Sequence, residues 1–180
     1  NSLLKESNGR NTNFDVLEVL DQQLIQYGKP VYDARKDFSE KLMPVFQQYY
    51  QHVSGMKEEV TLAYSSQLHD KDFGEKLLES RYKDLAIQYT STGIHKDDLQ
   101  MMLSGRPLKK VGSQGQQKTY LVALKLAEFE FMQELMKLPP ILLLDDVFDK
   151  LDAFRVKQII KLVAENKFGQ IFITDTNEKR

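Results

Sequence analysis

Along the first third of the chain, Leu17, Leu20, Leu24, Tyr27, Val31, Ala34 and Phe38 recur at alternating steps of three and four residues. That spacing puts one apolar stripe on a long helix, as in the seam of a coiled coil or an antiparallel helix pair. The commoner arrangement for such a stripe is against another helix of the same chain; a dimer seam is the alternative. Beyond Phe38 the pattern loosens. Val45 keeps the register, Lys41 and Gln48 take the other seam position, and Leu42 and Tyr49 stand beside it. Pro30 and Pro44 each remove a helical hydrogen bond, so kinks or a break are predicted there. After Ser54-Gly55, residues 59–67 alternate Val60, Leu62 and Tyr64 on one face and predict a strand. Residues 72–89 return to a helix, with Phe73, Leu77, Tyr82, Leu85 and Tyr89 roughly on one side.

The second half reads differently. Residues 99–103 and 108–111 predict two short strands, joined by the turn composition Ser104-Gly105-Arg106-Pro107. Residues 116–136 form a helix with two apolar stripes: Tyr120, Leu124, Ala127, Phe131 and Leu135, then Val122, Leu126, Phe129 and Met136. A helix apolar on two faces is largely buried. Pro139-Pro140 stops it, and Ile141, Leu142, Leu143 and Leu144 form a continuous apolar run, as in a strand buried on both faces. A helix over residues 153–165, with Val156, Ile159, Ile160 and Val163 toward the core, leads through Gly169 to another buried strand at 170–174. Strand, helix, strand, helix, strand is the order of an α/β layer with parallel strands. The expected organisation is a mostly helical part over residues 1–93 and an α/β part over residues 94–180.

Composition narrows the class without deciding it. With 41% hydrophobic and 28% charged residues the chain is globular rather than disordered. No cysteine is present, which excludes a disulfide framework and a thiolate metal site and fits a reducing compartment. The three histidines are scattered, so no zinc pattern exists, and His95 reads as a plain loop residue. The longest pure apolar run has four residues, far short of a membrane span. No basic segment followed by an apolar core opens the chain, so no signal peptide is expected. A net charge of −1 argues against a dedicated nucleic-acid binder. The stretch from Ser104 to Lys125 nevertheless lacks Asp and Glu and carries Arg106, Lys109, Lys110, Lys118 and Lys125. Such a local positive field attracts phosphate, although a solvated basic loop has the same composition.

Three short segments carry candidate chemistry. Ser113, Gln114, Gly115 and Gln116 follow Gly112 and open a long helix, where free backbone amides and the positive dipole end suit a phosphate. Ser113 would add a hydroxyl, and Gly115 would let the backbone approach closely. An ordinary helix cap needs the same serine. Asp145 and Asp146 follow the apolar run at the C-terminal end of a strand, where open α/β sheets bind ligands. One carboxylate there can hold magnesium and the next can orient a water for attack on phosphorus. Asp149, Lys150, Leu151 and Asp152 come next, and Asp152 is a natural cap for the helix after it.

The order of these segments is more specific than any one of them. It resembles the C-terminal lobe of ABC-type ATPase heads. Within that superfamily, residues 112–127 (GSQGQQKTYLVALKLA) and 141–152 (ILLLDDVFDKLD) resemble the RecF family. Residues 93–99 (GIHKDDL) are similar to that family's Gly-Pro-His-Arg-Asp-Asp-Leu segment, with Ile94 and Lys96 replacing Pro and Arg. Residues 20–24 (LDQQL) and 79–85 (ESRYKDL) resemble its helical lobe, so the resemblance covers nearly the whole chain.

The resemblance implies an α/β fold, the C-terminal part of a P-loop ATPase head of the ABC and SMC kind, preceded by a mostly helical lobe. It implies that Ser113, Gln114, Gly115 and Gln116 form the signature that touches a nucleotide held by the other protomer. Asp145 would then be the magnesium-associated Walker B carboxylate. Asp146 would be the catalytic acid, where most ABC heads carry Glu. Asp149, Lys150, Leu151 and Asp152 would form the D-loop. Asp175 or Thr176 stands where ABC heads usually have the switch His. The phosphate-binding motif Gly-x-x-x-x-Gly-Lys-Ser/Thr occurs nowhere in the 180 residues, and the chain begins with Asn and stops soon after the switch strand, so a fragment is expected. The intact protein would bind ATP and Mg²⁺, dimerise on ATP, hydrolyse it weakly, and bind single-stranded or gapped DNA. It would act with RecR in bacterial cytoplasmic repair and the SOS response, with no membrane partner. The fragment alone is expected to be inactive and to bind no cofactor tightly. The rival readings are a non-enzymatic helical module that docks partner helices and another SMC-like head, such as a RecN relative. The Gly112–Gln117 string in place of the commoner Ser-Gly-Gly-Glu favours RecF over the latter.

Overall fold

The computed structural model describes Leu4, Lys5, residues 13–165 and residues 168–175. In chain order the elements are α1 (Phe14–Ser54), β1 (Val60–Ser65), α2 (Phe73–Ile87), a 3₁₀ turn (Ile94–Lys96), β2 (Asp98–Leu103), β3 (Arg106–Pro107), α3 (Leu108–Val111), α4 (Gln114–Met136), β4 (Leu142–Leu144), α5 (Ala153–Ala164) and β5 (Ile171–Ile173). They form two compact units, each assembled from two stretches of chain. One comprises Asn1–Ser39 and Tyr64–Leu99, the other Glu40–Ala63 and Gln100–Arg180.

In the first unit, Leu68, Phe73 and Leu77 are buried, and Ile25, Tyr32 and Ile94 pack against them. The Asp72 side chain caps α2 by accepting from the Gly74 N–H at 2.8 Å. Polar bonds fix the rest. Arg81 pairs with Asp21 at 2.7 Å, Arg35 reaches both the Ile94 carbonyl (2.6 Å) and Asp97 (3.0 Å), and the Tyr64 hydroxyl donates to Asp97 at 2.5 Å. Burial, together with the Asp97 carboxylate beside it, pushes the Tyr64 phenol up to about 12. His95 lies 2.9 Å from the Thr90 carbonyl through Nε2, which makes it a loop brace.

The second unit is built on α4. Tyr120, Ala123, Leu126 and Ala127 of α4 are buried, as are Phe46, Tyr50 and Val53 of α1. Phe46 and Tyr120 have ring centroids 4.5 Å apart, and the Tyr120 hydroxyl donates to the Thr61 carbonyl at 2.7 Å. One sheet has the order β1-β2-β3, with β2 and β3 antiparallel. The other is a parallel pair, β4 and β5, with Leu142 opposite Ile171 and Leu144 opposite Ile173. The crossover between these parallel strands is α5, as parallel pairing requires.

Several expectations need correction. α1 is continuous for 41 residues through Pro30 and Pro44. Each proline deletes only one bond of the ladder, so neither ends the helix. Residues 108–111 are a helical turn, not a strand. Pro107 ends β3, and the Gly112 N–H closes the turn that follows on the Leu108 carbonyl at 2.8 Å. β4 is buried on one face only: Leu142 and Leu144 are buried while Leu143 is 70% exposed, and Phe172 on β5 is 59% exposed. Leu143 and Phe172 stand opposite each other in the register and form the outward face of the pair. Leu135 and Met136 at the end of α4 and Ile160 on α5 are also exposed. The stripe of α1 is likewise open. Leu17, Leu20, Leu24, Tyr27 and Val31 line a 750 Å³ groove together with residues of α2 and the 90–95 loop.

Candidate functional site

Ser113 is the N-cap of α4 with φ −63° and ψ 163°. Its Oγ accepts from the Gln116 N–H at 3.2 Å, and the Gln116 Oε1 accepts from the Ser113 N–H at 2.8 Å. This reciprocal box satisfies two of the amides a helix start leaves unpaired and holds the loop in one shape. Gly115 sits in the first turn of α4. A Cβ there would lie 2.9 Å from the Lys150 carbonyl oxygen, so only glycine lets the start of α4 rest on the 149–152 turn.

The acidic pair stands at the C-terminal end of β4. Thr174, just past β5, is the residue that organises it. Its backbone N–H donates to the Leu144 carbonyl at 3.0 Å, which carries the parallel ladder one step further. Its hydroxyl donates to Asp145 Oδ1 and accepts from the Asp146 N–H at 3.0 Å. Asp146 has φ +46°, a left-handed backbone uncommon for a residue other than glycine, of the kind that collects at functional sites. Lys118, one turn into α4, donates from Nζ to the Asp146 carbonyl at 2.8 Å. The loop that opens α4 and the acids that follow β4 are thereby joined.

Asp152 caps α5, accepting from the Arg155 N–H at 2.8 Å. Asp149 and Lys150 pair at 3.5 Å on the surface, where such a pair contributes little. Leu151 is buried. Asp175 is exposed after β5, and Thr176 lies outside the described residues. Among the described residues no three His, Cys, Asp or Glu side chains converge as a metal cage. Asp145 offers a carboxylate of the kind that holds Mg²⁺ beside a phosphate, an arrangement in which phosphate and water supply the remaining oxygens.

Beneath these loops lies an ion pair. Arg155 donates from Nη2 to Glu58 Oε1 at 2.6 Å, and Glu58 also accepts from Gln116 Nε2 at 3.1 Å and from the Tyr50 hydroxyl. Burial would raise the Glu58 carboxyl, but the bonds from Tyr50, Gln116 and Arg155 outweigh it and hold the pKa below the usual value. Burial and the Glu58 carboxylate together push the Tyr50 phenol up. Sequence reasoning singled out none of Thr174, Glu58 and Arg155. For Thr174 a signal existed, since a hydroxyl one step past a strand beside β4 must lie level with the acids. For Glu58 none existed.

No family model matches the chain. Individual relatives do. RecF of Parabacteroides distasonis, named a DNA replication and repair protein, is 55% identical over 179 residues, 99% of this chain and 48% of the relative. RecF of Flavobacterium johnsoniae is 48% identical over 166 residues, 92% of this chain and 46% of the relative. Over the span it covers, the chain belongs to the RecF family. The chain spans about half the length of the curated RecF proteins it matches. A solved structure of the recombination mediator RecF with ATP, from the RecFOR pathway, superposes with a TM-score of 0.81 at 28% identity, covering 99% of this chain and 50% of that one. The fold is that of part of an ABC- and SMC-like ATPase of the RecF kind, mixed helix and sheet with a large helical part.

Proposed function

We propose that this chain is the signature and Walker B portion of a RecF-type DNA replication and repair ATPase, a switch that dimerises on ATP. In this reading the loop 113–116 meets the γ-phosphate of a nucleotide held by the opposite protomer. Asp145 orders the Mg²⁺, and Asp146 orients the attacking water. The turn 149–152 reports across the dimer. Asp175 or Thr176 takes the switch position. The whole protein would bind gapped or single-stranded DNA, act with RecR in recombinational repair in the bacterial cytoplasm, and hydrolyse ATP slowly. The observation that supports this best is the Lys118 bond to the Asp146 carbonyl, with Gly115 seated on Lys150. These contacts bring one capped helix start beside an acidic strand end, a pairing suited to a phosphate and its metal. RecF with ATP is a solved relative of the same fold.

Asp145 and Asp146 carry different work in this scheme, and the full-length protein tests it. Metal binding needs the charge of the first acid, whereas water orientation needs the second. Asp145→Asn is expected to weaken Mg²⁺-dependent ATP binding. Asp146→Asn is expected to leave binding intact, slow hydrolysis and prolong the ATP-bound dimer. Parental turnover in both variants, each folded by circular dichroism, contradicts the assignment.

A further inference from the structure

Arg155 is the third residue of α5, one turn past its cap. Its four hydrogen-bond donors go to three separate segments. The backbone N–H and Nε go to Asp152 at 2.8 and 3.2 Å, Nη1 to the Thr119 hydroxyl at 2.7 Å, and Nη2 to Glu58 at 2.6 Å. Both segments beyond Asp152 lead back to the loop that opens α4. The Thr119 hydroxyl donates in turn to the Gly115 carbonyl at 2.7 Å. Glu58 holds Gln116 Nε2 at 3.1 Å, while Gln116 Oε1 holds the Ser113 N–H at 2.8 Å. The Arg155 and Glu58 side chains are 12% and 16% exposed, so solvent competes little for these bonds.

A mostly buried ion pair is a poor source of net stability, because desolvation offsets most of the attraction. What a planar guanidinium does supply is geometry: each donor fixes a partner in direction as well as distance. Here the fixed partners are both sides of one loop and the cap of the neighbouring turn. Gly115 resting on the Lys150 carbonyl leaves no space for the two to slide.

We propose that Arg155 and Glu58 are positioning residues that hold the 113–116 loop and the 149–152 turn as one rigid piece. Both then meet the opposite protomer together or not at all. This rests on the dimerising-switch reading above. Neither side chain contacts nucleotide; each acts through Ser113, Gln116, Gly115 and Asp152.

The test uses the full-length protein and follows ATP-driven dimerisation by analytical ultracentrifugation, monomer binding of a fluorescent ATP analogue, and thermal melting. Arg155→Lys and Glu58→Gln are expected to keep monomer nucleotide binding. Their dimerisation is expected to weaken by about tenfold or more, the scale of one charge-assisted bond. The double variant should be no worse than the more affected single one, because the pair acts as a unit. Ile159→Val, which trims the buried face of the same helix, is the control for lost stability and should dimerise normally. Thr119→Val keeps both charges and should weaken dimerisation too, so the prediction stands even where a charge variant does not fold. The proposal is overturned where all three positioning variants dimerise as tightly as Ile159→Val does. A Ser113→Arg variant separates the two levels. Normal dimerisation by it contradicts the switch reading itself. Loss there, with normal dimerisation by Arg155→Lys, Glu58→Gln and Thr119→Val, contradicts only the positioning role.

Discussion

A single methyl group added at Gly115 sets two effects of opposite sign against each other. Within a helix, alanine is better than glycine by up to about 1 kcal/mol, and less at the first turn, where Gly115 sits. Propensity alone therefore predicts that Gly115→Ala stabilises the chain. The contact predicts the reverse. The new Cβ would stand 2.9 Å from the Lys150 carbonyl oxygen, and ordinary contact begins at 3.4 Å, so one of the two must retreat by about 0.5 Å. The neighbour is backbone, at a residue already held at φ 62°, and has no side-chain torsion with which to yield. Overpacking of this kind costs about 1–3 kcal/mol. The clash outweighs propensity, and Gly115→Ala is expected to lose about 1 kcal/mol. Urea denaturation followed by far-ultraviolet circular dichroism reads this directly. An unchanged or higher stability would show that α4 does not rest on the 149–152 turn.

Three further expectations follow from the same contacts. Ser113→Ala breaks half of the capping box and should cost about 1 kcal/mol, measured by the same denaturation, whereas Ser113→Thr should retain most of it. Because Glu58 titrates below its ordinary 4.5 when folded, its share of stability is present above that value and is lost as the pH falls through the folded pKa. Glu58→Gln should flatten the stability profile in that acid window, and an unchanged slope there would contradict the ion pair. The 180-residue chain alone should not bind ATP with micromolar affinity in calorimetry, because no Gly-x-x-x-x-Gly-Lys-Ser/Thr loop is present to hold the β- and γ-phosphates.

What could be read from sequence was local. The Ser113 cap, the acids after an apolar strand and the Asp152 cap are each decided by neighbours within four residues, and all three stand where the pattern put them. What failed depended on distant partners. Pro30 and Pro44 read as kinks or a break because each removes a ladder bond, but the helix runs through both, so neither ends it. Leu143 read as buried because an apolar run does not say what lies on each face. Residues 108–111 read as a strand because Leu-Lys-Lys-Val suits either state, and in the fold the Gly112 N–H closes them as a helical turn on the Leu108 carbonyl. Glu58 and Arg155 are 97 residues apart, and no spacing rule joins them. Yet this pair connects the two loops that the motifs marked out.

In the proposed switch the Ser113 loop works on a nucleotide held by the other protomer. That is tested by mixing two inactive full-length proteins, one carrying Ser113→Arg and the other lacking the lysine of its phosphate-binding loop. In the mixed dimer one composite site pairs an intact phosphate-binding loop with an intact Ser113, and the other site carries both defects. ATP hydrolysis, absent from each protein alone, is expected to return in part on mixing. Hydrolysis that stays absent while crosslinking shows the mixed dimer to be formed would contradict it.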